Sequence, residues 1–380
     1  MSNKIKSISL EAISRFTKTF PLTLSICVCT GMGSLAGVIF AFIAAFLCGE
    51  TEHKKFMSVY TSFLIAVFTF KSYGPGALSV AIISSGILLI ISSFAYDKIK
   101  KLLCSPAVPS AMLATALCVT VLFTTDYFGI GAVGKTPREM IASYLSLGFH
   151  PNWRGVLYGT IVMVIMITFP RKFKKLSKTL NASFLGLTAT LLLNLWLNPP
   201  DMISAIKEVG ALSFADFKGN LIFPIMHQPS FILNGILCGV ALFITVFCCV
   251  SENAQNKNDY LISGAANTAL GLITCAYLPS TAKPKKALSG LLAAIFTALF
   301  AVIFKDFIAR IPVHSCAVVL IVGAWNSVKW SELKDVFKNV QGIICLTAIV
   351  SGYILTGAVY GTIIAAVISL LFVIINKKTK

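Results

Sequence analysis

Residues 278–290, LPSTAKPKKALSG, join a helix-breaking proline, small hydroxyls and three lysines between two apolar runs. Irregular polar backbone of this kind is tolerated inside a membrane only where protein buries it or where it lines a wet cavity. Two readings are open: a substrate site, or a cytoplasmic loop between two helices. Other reactive side chains point to less. The eleven cysteines sit mostly inside apolar spans, as Cys27, Cys29, Cys118, Cys238, Cys248, Cys249, Cys316 and Cys345 do, and none forms a C-x-x-C pair. In such spans cysteine packs as a small hydrophobe, so neither disulfide nor metal chemistry is expected. His53, His150, His227 and His314 are scattered without ligand spacing.

The surrounding chain sets the class. Hydrophobic residues make up 57% and charged residues 12%, against about 25% charged in soluble domains. The mean hydropathy is +0.85. Residues 77–95, 110–124, 155–169 and 357–375 form apolar runs near the ~20 helical residues a bilayer core requires. The chain reads as an all-α polytopic membrane protein. Lys4, Lys6, Glu11, Arg15 and Lys18 spread charge along the first eighteen residues, with no cleavage pattern, so a cleavable signal peptide is not expected. The net charge of +18 reads as positive-inside bias rather than nucleic-acid binding, because the cations flank apolar spans.

Hydropathy places helices near residues 17–30, 34–48, 58–70, 77–95, 106–125, 155–169 and 180–196. A second set falls near 231–250, 260–275, 279–285, 287–304, 312–328, 340–354 and 357–375. The third and the tenth are unusually short. With the N-terminus inside, the cytoplasmic loops hold Lys54 and Lys55; Lys98, Lys100 and Lys101; Arg171, Lys172, Lys174, Lys175 and Lys178; Lys257; Lys283, Lys285 and Lys286; and Lys329, Lys334 and Lys338. The opposite loops are poorer in cations, and residues 126–154 and 198–230 read as longer outside loops. Both termini are therefore expected to be cytoplasmic, in a bacterial-type plasma membrane. The two halves, 1–200 and 201–380, also rhyme, since each has a broken pair near its third segment, as in inverted-repeat transporters.

At residues 311–337, IPVHSCAVVLIVGAWNSVKWSELKDVF, the chain resembles the sulfate permease (SulP) family of anion transporters. The pattern is Ile311 and Pro312, an aliphatic run ending in Ala324, Trp325 and Asn326, then a turn carrying Trp330, Glu332 and Leu333. Phe20 and Pro21, Gly49 and His53, Pro106, Ala266 and Asn267, and Leu288, Ser289 and Gly290 are further matches in order. The resemblance implies a fourteen-segment, 7+7 inverted repeat divided into core and gate domains. Its third and tenth helices begin halfway across the bilayer with their N-termini facing, which makes an anion site from unpaired N–H groups and dipole ends. Members usually carry a C-terminal STAS domain, which is not expected here after a last span that runs almost to Lys380.

Departures from the family pattern select the candidate residues. At the third helix the family's Gly-Pro is replaced by Met57 and Ser58, which leaves Ser58 and the backbone of Val59 and Tyr60 as the nearest donors; residues 50–55 read equally as a charged turn. The tenth helix lacks about ten family residues, which leaves Ser280 and Thr281 as site candidates. Lys283 stands in for the family's arginine or serves as one more positive-inside residue. In the eighth helix, either Glu252 occupies the coupling position, or Thr245 does and Glu252 is a rim charge. The expected function is secondary transport of a small anion (sulfate, bicarbonate, chloride or a dicarboxylate) by an elevator-like motion, without enzymatic chemistry or cofactor. The partners implied are the anion, a coupling Na+ or H+, the lipid bilayer and a second copy of the chain, and no nucleic acid. The alternatives are a non-transporting membrane scaffold or partner subunit of the same fold, and a nucleobase permease.

Overall fold

A chain in hydrocarbon has no water to satisfy its backbone, so helices, which bond their own N–H and C=O groups, must carry it across. The computed structural model describes residues 2–47, 59–94, 107–197, 229–253, 257–273 and 287–378, and its regular elements are helical. In order they are α1 (Ser2–Thr30), α2 (Ser34–Leu47), α3 (Val59–Ser93), α4 (Ala107–Phe128), α5 (Pro137–Leu147), α6 (Trp153–Lys172), a 3-10 turn (Leu176–Lys178), α7 (Ala182–Leu197), α8 (Pro229–Asn253) and α9 (Lys257–Ile273). There follow α10 (Ala287–Ile303), α11 (Lys305–Ile308), α12 (Val313–Ser327), α13 (Trp330–Phe337), α14 (Val340–Thr356) and α15 (Ala358–Lys378). Among the described residues α3, α4, α6 and α8 are long and apolar enough to cross a membrane, and α2, α7, α10, α12 and α15 are shorter apolar helices. The protein is an all-α, multi-pass membrane protein.

Every segment expected from hydropathy except the tenth is present as a helix. Residues 279–285 lie outside the described residues, and so do Ser58, Ser280, Thr281 and Lys283. The third and fourth segments form α3, broken at one residue: Gly74 has φ 82° and ψ 179°. That backbone strains any residue with a Cβ, and Pro75 then opens the second half where its missing N–H has no helical partner to lose. Gly357, with φ 85° and ψ 178°, makes the same break between α14 and α15.

Three local structures differ from the sequence reading. α1 starts at Ser2 rather than near Thr17, because Ile8, Ala12 and Phe16 recur every fourth residue and are all buried. The outside loop at 126–154 contains α5. There the Thr136 hydroxyl accepts from the Glu139 N–H (3.3 Å), the Glu139 carboxylate accepts from the Lys135 N–H (2.8 Å), and Pro137 opens the helix. The turn at 330–333 is the first turn of α13, which buries Leu333 and Val336 and bends 118° from α14.

Packing divides the helices into two groups. In the first, α8 and α9 flank the second half of α3 while α2 and α10 flank α1. Water gives no driving force between helices in lipid, so small residues that let backbones touch do the work. A Cβ on Gly235 would stand 2.9 Å from the Ala77 carbonyl, one on Gly239 2.9 Å from the Ala81 carbonyl, and one on Gly264 2.7 Å from the Gly86 carbonyl. In the second group α12 packs on α4 and α6, and α14 on α4 and α15. Rings of Phe16 and Phe20 from α1, Phe184 from α7 and Phe300 from α10 meet at 5.2–5.8 Å between the groups.

Contacts also fix direction. Residues 264 and 271 of α9 lie beside 86–90 and 82–83 of α3, so α9 runs opposite to that half-helix, whereas α8 runs with it. Ala12 of α1 packs with Ala293, and Phe20 with Phe300, so α10 runs parallel to α1. Phe63 meets Phe40 of α2 (5.5 Å), which runs back along α1 from Gly37 beside Leu24, and Lys71 lies within electrostatic reach of Cys29 near the end of α1, so the first half of α3 runs with α1. The Thr69 side chain meets Cys238, which sits between Gly235 and Gly239 beside residues 77–84, so the second half folds back against the first. Hence α9 and α10 run the same way, joined only by residues 274–286. Finally, α1 is pinned to the connection before α7: the Ser14 hydroxyl donates to the Lys178 carbonyl (2.8 Å), and the Thr17 hydroxyl donates to the Thr179 carbonyl (3.1 Å) and accepts from the Asn181 N–H (3.3 Å).

The glycine contacts predict a stability contrast. Gly86→Leu forces a side chain against the α9 backbone, where even a Cβ would be 2.6 Å from the Thr268 nitrogen and 2.7 Å from the Gly264 carbonyl. Overpacking of this kind costs about 1–3 kcal/mol or more, so the thermal midpoint in detergent falls. Gly131→Ala, with nothing within 4 Å, leaves it unchanged. Equal midpoints for the two variants would rule the packing out.

Candidate functional site

The N-terminal end of α3 is where a helix start meets both packing groups. Val59 opens the helix, and Tyr60, Thr61 and Ser62 form its first turn. The first N–H groups of a helix have no intrahelical acceptor, and the helix dipole adds partial positive charge there. Thr61 and Ser62 are fully buried. The Thr61 hydroxyl shares a 3.0 Å hydrogen bond with that of Thr115 on α4. Beside Thr115 lies the buried Tyr353 hydroxyl, itself 2.7 Å from the Thr362 hydroxyl. A chain of hydroxyls thus leads from α3 through α4 to α14 and α15.

Tyr60 points the other way. Its hydroxyl abuts Gly323 on α12, where a Cβ would collide with it, and its ring meets Phe63 edge-on at 6.5 Å, with Phe40 of α2 behind (5.5 Å). Gly323 lies within the aliphatic run between Pro312 and Trp325, and only a residue without a side chain admits the tyrosine there. Two residues on, the Trp325 indole N–H donates to the Thr120 hydroxyl on α4 (2.8 Å), and its ring stacks on Trp330 at 5.9 Å and 6°. That stack fixes α12 to the start of α13.

The expected site residues are therefore not all brought together among the described residues. Tyr60 lies at the helix start, and Val59 is its first residue. Thr245 is fully buried on α8, where its hydroxyl donates to its own helix at the Leu242 carbonyl (2.9 Å). Glu252 belongs to the last turn of α8. Asp259, in the first turn of α9, is a buried carboxylate that the sequence analysis did not single out. No group of three or more His, Cys, Asp or Glu side chains among the described residues could hold a metal ion.

A second polar centre lies where three helix ends meet, at the C-terminus of α4 and the N-termini of α6 and α12. His314 is 2% exposed; its Nδ1 is 3.2 Å from the Tyr127 carbonyl, and its Nε2 is buried without a hydrogen-bond partner among the described residues. The Asn152 N–H donates to the Phe128 carbonyl (2.8 Å), and the Asn152 side chain caps α6 by accepting from Gly155 (3.2 Å). Gly129 and Gly155 wall the imidazole, and a Cβ on either would strike the ring. Asp126, one turn back, lies within electrostatic reach of Lys71 on α3, Cys29 on α1 and Cys316 on α12. On the flanking α5, burial and then the Asp126 charge push the Tyr144 phenol well above its ordinary range. The sequence reading dismissed His314 for want of ligand spacing. Its partner is a backbone carbonyl, which spacing does not reveal, although its place two residues after Pro312 marks a helix start.

With this architecture in view, comparison with solved structures is informative. The transmembrane domain of a cyanobacterium bicarbonate transporter, BicA, superposes with a TM-score of 0.64 at 13% identity, over 96% of this chain and 97% of that one. The structure titled as the overall structure of SLC26A9 matches with a TM-score of 0.67 at 12% identity, over 98% of this chain and 66% of that one. The murine solute carrier 26 family member A9 anion transporter, in its inward-facing state, gives 0.68 at 10% identity, over 97% and 68%. The fold is that of a sulfate-permease-type membrane domain. This chain spans about two thirds of the length of the A9 chains. No protein-family profile matches the sequence, and no curated protein sequence matches it either. The sulfate-permease-type fold thus persists where little of the sequence does, and its neighbours are transporters rather than enzymes.

The helix-end junction generates a double-mutant test. Gly155→Ala drives a methyl into His314 and lowers the thermal midpoint, and truncating the ring in Gly155→Ala/His314→Ala restores most of the loss. Touching residues couple by about 0.5–3 kcal/mol, so a cycle that closes additively would separate the two side chains.

Proposed function

We propose that the chain is a secondary active transporter of small anions, working by displacement of a core domain (α1–α3 and α8–α10) against a gate domain (α4–α7 and α12–α15). Residues 1–200 and 201–380 form its two inverted repeats, and both termini face the cytoplasm. The anion is held between the start of α3, with Ser58, Val59 and Tyr60, and the segment opposite, with Ser280, Thr281 and Lys283. Glu252 or Thr245 on α8 serves the coupling Na+ or H+. Bicarbonate, sulfate, chloride and small dicarboxylates are the substrate class, and the working unit is a homodimer.

The parallel course of α9 and α10 carries this reading. Residues 274–286 have to bring the chain back across the membrane between them. A continuous helix of that length reaches about 20 Å, short of a hydrocarbon core of about 30 Å. The resemblance to the sulfate-permease family implies a short tenth helix in that segment, starting inside the slab. The first half of α3, residues 59–73, is likewise about 22 Å long. With its Gly74 break near one face, it too begins within the slab. Two facing helix starts bind an anion through N–H groups and dipoles without a dedicated cation. The same shortness supports the second reading, a scaffold of this fold that no longer transports.

Uptake of radiolabelled bicarbonate, sulfate, chloride and succinate into proteoliposomes tests both. A transporter accumulates at least one of them, and Ser58→Trp or Thr281→Trp abolishes that uptake without loss of folded protein. Unchanged uptake in both variants removes the site assignment, and no accumulation of any anion favours the scaffold.

A further inference from the structure

Between α6 and α7 the chain reads RKFKKLSK, five cations in eight residues with no acid among them. Arg171, Lys172, Lys174, Lys175 and Lys178 are all exposed. Among the described residues none of them takes part in an ion pair. Arg171 and Lys172 close the last turn of α6, where the helix dipole favours cations. That turn can accommodate only part of the charge, and Lys174, Lys175 and Lys178 lie beyond it.

The segment has a fixed frame. The Phe173 N–H donates to the Phe169 carbonyl (2.9 Å), the Ser177 N–H to the Phe173 carbonyl (2.9 Å), and the Thr179 and Leu180 N–H groups to the Leu176 carbonyl (3.0 and 2.8 Å). The pins from Ser14 and Thr17 then hold the Lys178 and Thr179 carbonyls to α1. The cations therefore project from an ordered surface. Two large apolar side chains interrupt them, Phe173 at 54% and Leu176 at 51% exposure. Exposed apolar groups among lysines, at the end of a membrane helix, lie at the depth where acyl chains give way to headgroups.

We propose that residues 171–178 form a binding site for anionic phospholipid headgroups, with Phe173 and Leu176 seated at the acyl-chain boundary. The complementarity is of charge: a cluster of four to eight basic residues beside a membrane helix attracts anionic lipid, and each cation contributes separately. The lipid phosphate supplies the acceptors that the protein does not. This site is independent of which anion the protein moves, and of whether it moves one.

The test uses the full chain in detergent, titrated with short-chain phosphatidylglycerol or phosphatidylcholine, with bound lipid counted by native mass spectrometry. The unaltered protein prefers phosphatidylglycerol at least ~10-fold, and that preference weakens as salt rises. The Lys172→Gln/Lys174→Gln/Lys175→Gln variant loses the preference, whereas Lys334→Gln/Lys338→Gln, on α13 and just beyond its end, keeps it. Phe173→Ser/Leu176→Ser retains the selectivity but binds severalfold more weakly. Equal binding of the two lipids by the unaltered protein overturns the proposal. So does an equal loss in the α13 variant, or displacement of phosphatidylglycerol by an equimolar amount of inorganic phosphate. Undiminished affinity in the serine variant overturns the apolar seating.

Discussion

Backbone polarity inside an apolar slab is the constraint on which the rest of this molecule depends. Each N–H and C=O must find a partner within the protein, so the chain has few ways of turning. Two of its reversals take a single glycine each, at Gly74 and Gly357, in nearly identical left-handed geometry. Helix starts such as that of α3, whose first N–H groups have no acceptor within their own helix, fall where the two packing groups meet. A fold built under this rule places its helix-end polarity in a few interior places, which are the natural places for a polar ligand.

Association without a hydrophobic drive is the second constraint, and it explains which glycines the structure needs. Gly86, Gly235, Gly239 and Gly264 bring α3, α8 and α9 to backbone contact. At the other centre, Gly129 and Gly155 give His314 its room, so that one imidazole ties the end of α4 to the starts of α6 and α12. In both cases the side chain that matters is one that is missing.

This is also why the sequence was legible in some respects and opaque in others. Apolar runs located the spans, because hydrocarbon thickness acts on composition itself. The run from Ile311 to Asn326, resting on a helix start and an indole anchor, was enough to suggest the fold that the solved structures share. α13 escaped because two helical turns carry too few residues for a period of 3.6 to stand out. The N-terminal half of α1 escaped because its charged residues mask the buried stripe of Ile8, Ala12 and Phe16. The roles of His314 and Gly323 depend on partners that are respectively a backbone carbonyl and the hydroxyl of a distant tyrosine. Neither leaves a spacing to read. Of the candidate site, Tyr60 and the start of α3 came from sequence, whereas the hydroxyl chain through Thr115 and Tyr353 joins helices whose adjacency no local pattern encodes.

The pins between α1 and the segment before α7 use side chains on one partner only. Ser14 and Thr17 read the carbonyls of Lys178 and Thr179 and the N–H of Asn181, atoms that every residue type except proline supplies. Substitutions at 178 and 179 therefore leave the pins to α1 intact, whereas substitution of Ser14 or Thr17 removes them. An insertion or deletion of even one residue there would shift every carbonyl out of register with α1. What α1 reads in this surface segment is its length, not its letters.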